Sequence, residues 1–504
     1  MSSDKRDIDR AFFGHPIGLM TLFTTEMWER FSYYGMRAIL LYFLTDTFLN
    51  GGLAIDVPTG KAVVATYSSS VFLTSVIGGW VSDRLFGPRK AALYGGFVII
   101  MGHICLSLPL TVTAYLGIIF VAVGSGVFKP NPTVMLGELY SREDRRRDSG
   151  FSIFYLGINL GSFFSPFVVG WARGWGGYHA GFAMAAIGMA IALAFYIHGR
   201  KYLDERADII PDPISDEERS RVIKLIVLVI ALLVVLWFVI KLITSTSVLL
   251  TTVTTLNLLA LAVPVLIFGM MFRSPKVTKP ERSRLMAFIP LFLASAMFWM
   301  VFEQAASSMA AFAEKSTNLH MGSVTIDPEW FQSVNPLGII LLSGVFAAMW
   351  QKLGSRPSTP TKFALGLALA AGSFFFLGAF AKAYEGQLAP AWILAVCFLI
   401  QTLGELCLSP VGLAAASLLA PEAYKSQGMA LWLLSSAFGQ SIASLIFAHA
   451  PEMSQASEFF LFAIIAAAFT VVLVLLIPWI NRKIKEGFAS TAEEVDADPT
   501  PDAA

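Results

Sequence analysis

The sequence is poor in the residues that staple or solubilise a globular domain. It has three cysteines, and Cys105, Cys397 and Cys407 each lie inside a long apolar run. Neither a disulfide framework nor a metal-ligand spacing can be read from them, so they are expected to be packing residues. Charge is also scarce. Asp, Glu, Lys and Arg make up 14% of the chain, against roughly 25% in an ordinary soluble domain. The net charge of +1 leaves no overall field suited to nucleic acid or to an acidic partner. Histidines number six, and His103, His179, His198 and His320 show none of the paired His/Glu spacing that a membrane-embedded metalloenzyme would need. No catalytic residue, metal or cofactor is expected.

Apolar length is what the chain has in abundance. Hydrophobic residues make up 56% of it, and the mean hydropathy is +0.67. A bilayer core about 30 Å thick is crossed by about 20 apolar residues in helix. The runs and their charged or Gly/Pro breaks give about fourteen spans, near 17–48, 60–84, 90–109, 112–136, 149–172, 180–199, 221–243, 248–272, 285–313, 329–352, 362–381, 388–419, 426–449 and 457–482. The fold class is therefore all-α and polytopic. The polar start, MSSDKRDIDR, does not read as a cleavable signal, and the acidic, proline-punctuated stretch 489–504 reads as a disordered tail.

Every second loop is basic. Lys5, Arg6 and Arg10 precede the first span; Arg84, Arg89 and Lys90 follow the second; Arg142, Arg145, Arg146 and Arg147 follow the fourth. The pattern continues through Arg200, Lys201 and Arg206, through 273–284 and 352–362, to Arg482, Lys483 and Lys485. Short cytoplasmic loops carry this excess, so both termini are expected to be cytoplasmic, in a cell membrane. The spans divide into a six-helix bundle at 1–199, a linker at 200–220, an extra pair at 221–272 and a second six-helix bundle at 273–488. The extra pair is almost uniformly aliphatic and reads as peripheral. Six plus six suggests the major facilitator architecture, in which two halves enclose a central cavity and rock about it.

Ionisable groups inside a span are costly and usually face a cavity or one another. The first span holds Glu26, Glu29, Arg30 and Arg37, and Glu26, Arg30, Tyr33 and Arg37 share one helical face. A self-neutralising Glu26–Arg30 pair would account for two of these charges and leave two. Lys129, Glu303 and Glu405 lie deep in other spans, with cations in the first half and acids in the second. Pairs made in one state and broken in another would gate a cavity. Asn159 and Asn335 could recognise a ligand or join helices. His103 could carry a proton or simply be hydrogen-bonded. Trp432, with Ser435 and Ser436 nearby, could line a pocket. Arg37 and Lys129 suit the carboxylate of a zwitterionic peptide, and Glu405 suits its ammonium.

These residues resemble a known family, the proton-dependent oligopeptide transporters. Its first-helix signature, E-x-x-E-R-F-x-Y-Y-G, stands as Glu26, Glu29, Arg30, Phe31, Tyr33, Tyr34 and Gly35. A second signature resembles Phe154, Tyr155, Ile158, Asn159 and Gly161, and the major facilitator loop motif resembles Gly79, Asp83, Arg84, Gly87, Arg89 and Lys90. GSGVFKPN around Lys129, FWMVFEQ around Glu303 and GELCLSP around Glu405 extend the likeness over nearly the whole chain. The resemblance implies a bacterial-type symporter of di- and tripeptides with protons as coupling ion, working as a monomer in membrane lipid. It would assign Glu26, Glu29, Arg30 and Glu303 to proton coupling, and pair Arg37 with Glu303 and Lys129 with Glu405 as gates. Tyr33, Tyr34, Arg37, Lys129, Asn159, Asn335 and Glu405 would contact peptide backbone and termini, while Tyr67, Trp432 and Ser436 would shape side-chain pockets. Some relatives carry nitrate, peptidomimetics or drugs on the same fold, and another small solute is the alternative substrate.

Overall fold

A computed structural model of the chain describes residues 9–141, 143–354, 356–450 and 452–496. In a bilayer the backbone must satisfy its own polar groups, and the apolar runs accordingly form helices. Helix α1 (Ile17–Thr45) follows Pro16. Helix α2 (Val57–Val81) is capped by the Asp56 carboxylate, which accepts from the Thr59 N–H at 2.9 Å. It runs into a π-helical turn at Ser82–Phe86, after which Gly87, at φ +76°, redirects the chain into α3 (Pro88–Ser107). Helix α4 (Thr111–Phe128) stops at Lys129, where Pro130 has no N–H to continue the ladder, and α5 (Asn131–Glu138) resumes beyond it. Helix α6 (Arg147–Gly199) holds the two spans expected at 149–172 and 180–199, broken at Gly176 and Gly177.

Helices α7 (Asp216–Thr244) and α8 (Val248–Arg273) are the extra pair, and the Ser215/Glu218 capping box starts α7 five residues before the expected span. Next come α9 (Lys279–Phe302) and α10 (Ser308–Ser316). The expected single span 285–313 is interrupted between them by a 3-10 turn at Glu303–Ala306. An antiparallel hairpin pairs His320 with Thr325. A 3-10 segment, Pro328–Ser333, then leads into α11 (Val334–Leu353), followed by α12 (Thr359–Ala383), α13 (Ala391–Leu419), α14 (Lys425–His449) and α15 (Gln455–Asp496).

Among the described residues, twelve helical segments are long and apolar enough to cross a membrane. Arg147–Tyr202, one of them, contains two crossings, and α1 stands outside the twelve because of its charged residues. With these, the count agrees with about fourteen. Helix α15 corrects the expected tail: residues 489–496 continue the helix. Ala, Glu and Lys after Arg482 are good helix formers, and adding residues to an existing helix costs no new nucleus. Residues 497–504 lie outside the described residues.

Contacts gather the chain into two units that cut across the expected bundles. The first comprises 1–257, 305–340 and 444–451, and the second 258–304, 341–443 and 452–504. In the first, α6 packs along α1 and α3 along α4, over a core that includes Leu19, Leu22, Phe128, Leu136, Met189 and Tyr196. In the second, α12 packs on α13 and α15, with Phe374 edge-on to Phe459 at 5.2 Å.

The expected linker is held by the loop motif. Arg84 reaches Asp212 at 2.6 Å and Glu218 at 2.5 Å. Arg89 pairs with Asp208 and donates to the carbonyls of Arg200 and Leu203. The extra pair divides in character. Along α7 only Ile240 is buried, as a lipid-facing helix requires, whereas Thr251, Thr254, Thr255 and Asn257 of α8 are buried, so α8 corrects the peripheral reading.

Candidate functional site

The charged stripe of α1 is drawn inward. Glu26, Glu29 and Arg30 expose 3%, 0% and 5% of their surface. Arg30 Nε donates to Glu26 Oε1 at 2.9 Å and stands 2.7 Å from Glu29 Oε2. A single guanidinium thus serves two carboxylates, and three charges sit where one pair would have sufficed. The arginine also lies over the ring of Tyr33, 5.6 Å from its centroid. Tyr33 stacks on Tyr67 of α2 at 6.1 Å and meets Tyr34 edge-on at 5.1 Å. Arg37 is buried further along the same helix.

Close packing of α6 holds this stripe in place. A Cβ on Gly161 would stand 2.0 Å from the carbonyl oxygen of Met27, and one on Gly35 would stand 2.6 Å from Val169 Cγ2. Only hydrogen fits at those positions, so the two helices approach backbone to backbone beside Glu26 and Arg30. Asn159, one turn before Ser162 on α6, donates to Tyr155 O of its own helix at 2.9 Å. The neighbouring glycine therefore supplies the helix contact that the amide was a candidate to make.

Lys129 stands at the break between α4 and α5, its Nζ 3.8 Å from the centroid of the Phe72 ring. An ammonium over an aromatic face is a stabilising arrangement, more so away from water. His103 is fully buried on α3, with Nε2 2.6 Å from Ser32 Oγ on the face of α1 turned away from the stripe. Of its two readings, the hydrogen-bonded one describes the geometry.

Asn335 lies in the first turn of α11, within the first unit. Glu303, Glu405, Trp432 and Ser436 belong to the second. Trp432 is buried across Gly412, where a Cβ would stand 1.9 Å from its ring, and meets Phe363 edge-on at 6.2 Å. Ser436 Oγ accepts from Gln440 Nε2 at 3.1 Å, and Ser435 joins Ser295 at 2.8 Å.

Two clusters went unread in the sequence. Arg173 of α6 pairs with the fully buried Glu329 at 2.5 Å, between the rings of Tyr42 and Tyr178. Its signal was weak because arginine and glutamate at span ends are ordinary. The second joins Thr66, Asn257 and Ser444; a lone asparagine in an aliphatic helix was its only trace.

Comparison with known proteins places this geometry. The sequence pattern of the POT family matches residues 89–463. The chain belongs to the POT family. It is 41% identical over 481 residues to an uncharacterized transporter, YclF, of Bacillus subtilis (strain 168), with 94% of this chain and 96% of that one covered. It is 39% identical over 480 residues to a di-/tripeptide transporter of Lactococcus lactis subsp. cremoris, covering 93% and 96%. The crystal structure of a peptide transporter, POT, in complex with sulfate superposes with a TM-score of 0.88 at 41% identity, over 96% of this chain and all of that one. The protein is thus a multi-pass membrane protein of a transporter family with the major facilitator fold.

Among the described residues no group of three or more His, Cys, Asp and Glu side chains could hold a metal. Cys397 and Cys407 are buried free thiols.

Proposed function

We propose that the protein imports di- and tripeptides together with protons by alternating access, in a cell membrane with both termini cytoplasmic, and catalyses no reaction. The observation that carries this reading is the buried convergence of Glu26 and Glu29 on Arg30. Two carboxylates facing one guanidinium leave one negative charge in excess, and a proton is the smallest ligand that removes it. Protonation frees Arg30 to exchange partners, which ties proton entry to rearrangement of the site. The name of the Lactococcus relative supports a peptide as the cargo.

In this mechanism Arg37 and Lys129 receive the peptide carboxylate and Glu405 its ammonium. Tyr33, Tyr34, Asn159 and Asn335 supply polar contacts along the backbone. Tyr67 and Trp432, with Ser436, bound the side chains with aromatic surface and one hydroxyl. The pairs Arg37 with Glu303 and Lys129 with Glu405 open and close the two entrances in turn, and Glu303 passes charge changes from the proton site to its gate. No bound cofactor enters the cycle.

The test is uptake of a labelled dipeptide into proteoliposomes under an inward proton gradient. Accumulation that collapses with an uncoupler supports the reading. Absence of uptake across several peptides, with uptake of another small solute, would replace it.

A further inference from the structure

The inserted helix pair is tied to the first unit through one polar side chain. Asn257, in the first half of α8, is fully buried. Its Nδ2 lies 2.8 Å from Thr66 Oγ1 of α2, 2.9 Å from Ser444 Oγ of α14 and 2.8 Å from Val253 O of its own helix. The two hydroxyls also meet each other at 2.9 Å, and both donate to Ala62 O. Nearby, Thr254 Oγ1 stands 2.9 Å from His449 Nε2, and Lys61 Nζ lies 5.5 Å from the centroid of Phe447. One face of α8 therefore engages α2 and α14 at the same level.

Helix α2 comes from the first expected bundle and α14 from the second. Alternating access requires helices from the two bundles to part at one end and rejoin there. An aliphatic side chain at position 257 would pack against either helix without regard to whether the other was present. An amide does not behave so: it keeps both hydroxyl partners only while Thr66 and Ser444 are together. Its own Oδ1 has no hydrogen-bond partner, so the bonds of this side chain run entirely through the Nδ2 group that faces those partners. A buried polar group in a span, half of it unpaired, is a poor device for stability alone. It is a better one for favouring a single arrangement.

We propose that Asn257 is a positioning residue of the transport cycle, fastening α2 and α14 to the inserted helix pair and favouring the state in which their outer ends are joined. The proposal rests on alternating access but not on the identity of the cargo.

The test is the distance between spin labels at Thr59 and Ala448, near the ends of α2 and α14, measured by electron paramagnetic resonance on the full-length protein in lipid nanodiscs without substrate. Asn257→Leu is expected to raise the ratio of separated to joined ends roughly five- to tenfold, the shift that one or two neutral hydrogen bonds supply. Thr66→Val should act in the same direction, and the double variant should fall short of the two effects multiplied, because both remove one shared contact. Asn257→Ser, which keeps a donor, should recover part of the joined population. Unchanged distances in both single variants, with only a lowered melting temperature, would overturn the proposal and leave Asn257 a packing residue. Should Asn257→Leu fail to fold, Thr66→Val alone decides. Since no peptide is used, neither result bears on what the protein carries.

Discussion

Arg173 and Glu329 form an ion pair at 2.5 Å in which the carboxylate side chain is wholly buried and the arginine is still 22% exposed. The acid cannot reach water, so its partner is what makes its charge tolerable. Tyr42 and Tyr178 flank the guanidinium, and Ser333, four residues beyond Glu329, donates to Phe163 O on α6 at 2.8 Å. Removing one member of such a pair costs about 3–5 kcal/mol because the other stays buried and uncompensated, whereas replacing both by apolar groups is often neutral. Arg173→Met is therefore expected to lower the melting temperature by several degrees, and Arg173→Met with Glu329→Leu to restore most of it. Scanning fluorimetry in detergent checks both; equal destabilisation by the single and double variants would refute the pairing.

The convergence of two acids on Arg30 makes a sharper prediction about coupling. Glu26→Gln and Glu29→Gln each remove a group that can cycle a proton but keep its shape. Both are expected to lose proton-driven accumulation by more than about tenfold while retaining exchange of labelled for unlabelled dipeptide. Full gradient-driven uptake in either variant would remove that residue from the coupling mechanism.

This stripe was legible in the sequence for a physical reason: lipid makes a charge in a span expensive, so four ionisable residues in one helix announce themselves. The fold was legible on the same ground, through the length of apolar runs. What stayed hidden lay where that penalty is weak or ambiguous. Arg173 and Glu329 sit near span ends, where charges are common. Asn257 is uncharged, and nothing in the surrounding aliphatic residues says which helices it meets. The interruption at Glu303–Ala306 escaped because no proline or glycine marks it. The extension of α15 through 489–496 escaped because composition alone does not register that an existing helix propagates cheaply.

Lys129 over the Phe72 ring separates charge from positioning. Lys129→Ala removes the cation assigned to peptide binding and gating, and is expected to abolish dipeptide uptake, as is Glu405→Ala. Phe72→Leu leaves the cation and removes only the aromatic face, an interaction of about 0.5–2 kcal/mol. Uptake should then fall between about twofold and thirtyfold, mainly through a raised KM. Loss of uptake in Phe72→Leu as complete as in Lys129→Ala would mean that the ring does more than hold the ammonium.

Gly161 offers a purely steric test of the α1–α6 contact. Its absent Cβ would stand 2.0 Å from Met27 O, and the opposing atom is backbone, which cannot rotate away. Gly161→Ala is expected to destabilise by about 1–3 kcal/mol, as overpacking does, and to impair uptake by displacing Glu26 and Arg30. Gly174→Ala is the control, because nothing lies within 4 Å of the Cβ it would gain. A Gly161→Ala protein with unchanged melting temperature would show that the helices can part at no cost.

At the start of α1, His15 Nδ1 is 2.8 Å from Tyr140 Oη, and Arg146, bound to Asp144 at 2.9 Å and Asp9 at 3.2 Å, lies close by. Burial holds His15 below the usual histidine range, with the charge of Arg146 acting in the same direction and Asp144 against it. Burial likewise pushes Tyr140 up to about 12, so it remains a neutral hydroxyl throughout. A histidine whose pKa is lowered by folding binds protons more readily when unfolded. Its neutral form therefore supports the fold above the unfolded pKa of about 6.5, and that support is lost as pH falls below it. Asp144, held low chiefly by its hydrogen bonds with Arg146, keeps its contribution until the pH drops well beneath the ordinary carboxylate range. Between pH 7.5 and 5.5 the melting temperature of the wild-type protein should thus decline through His15, and His15→Gln should flatten that decline. An identical slope in the variant would place the acid sensitivity elsewhere in the protein.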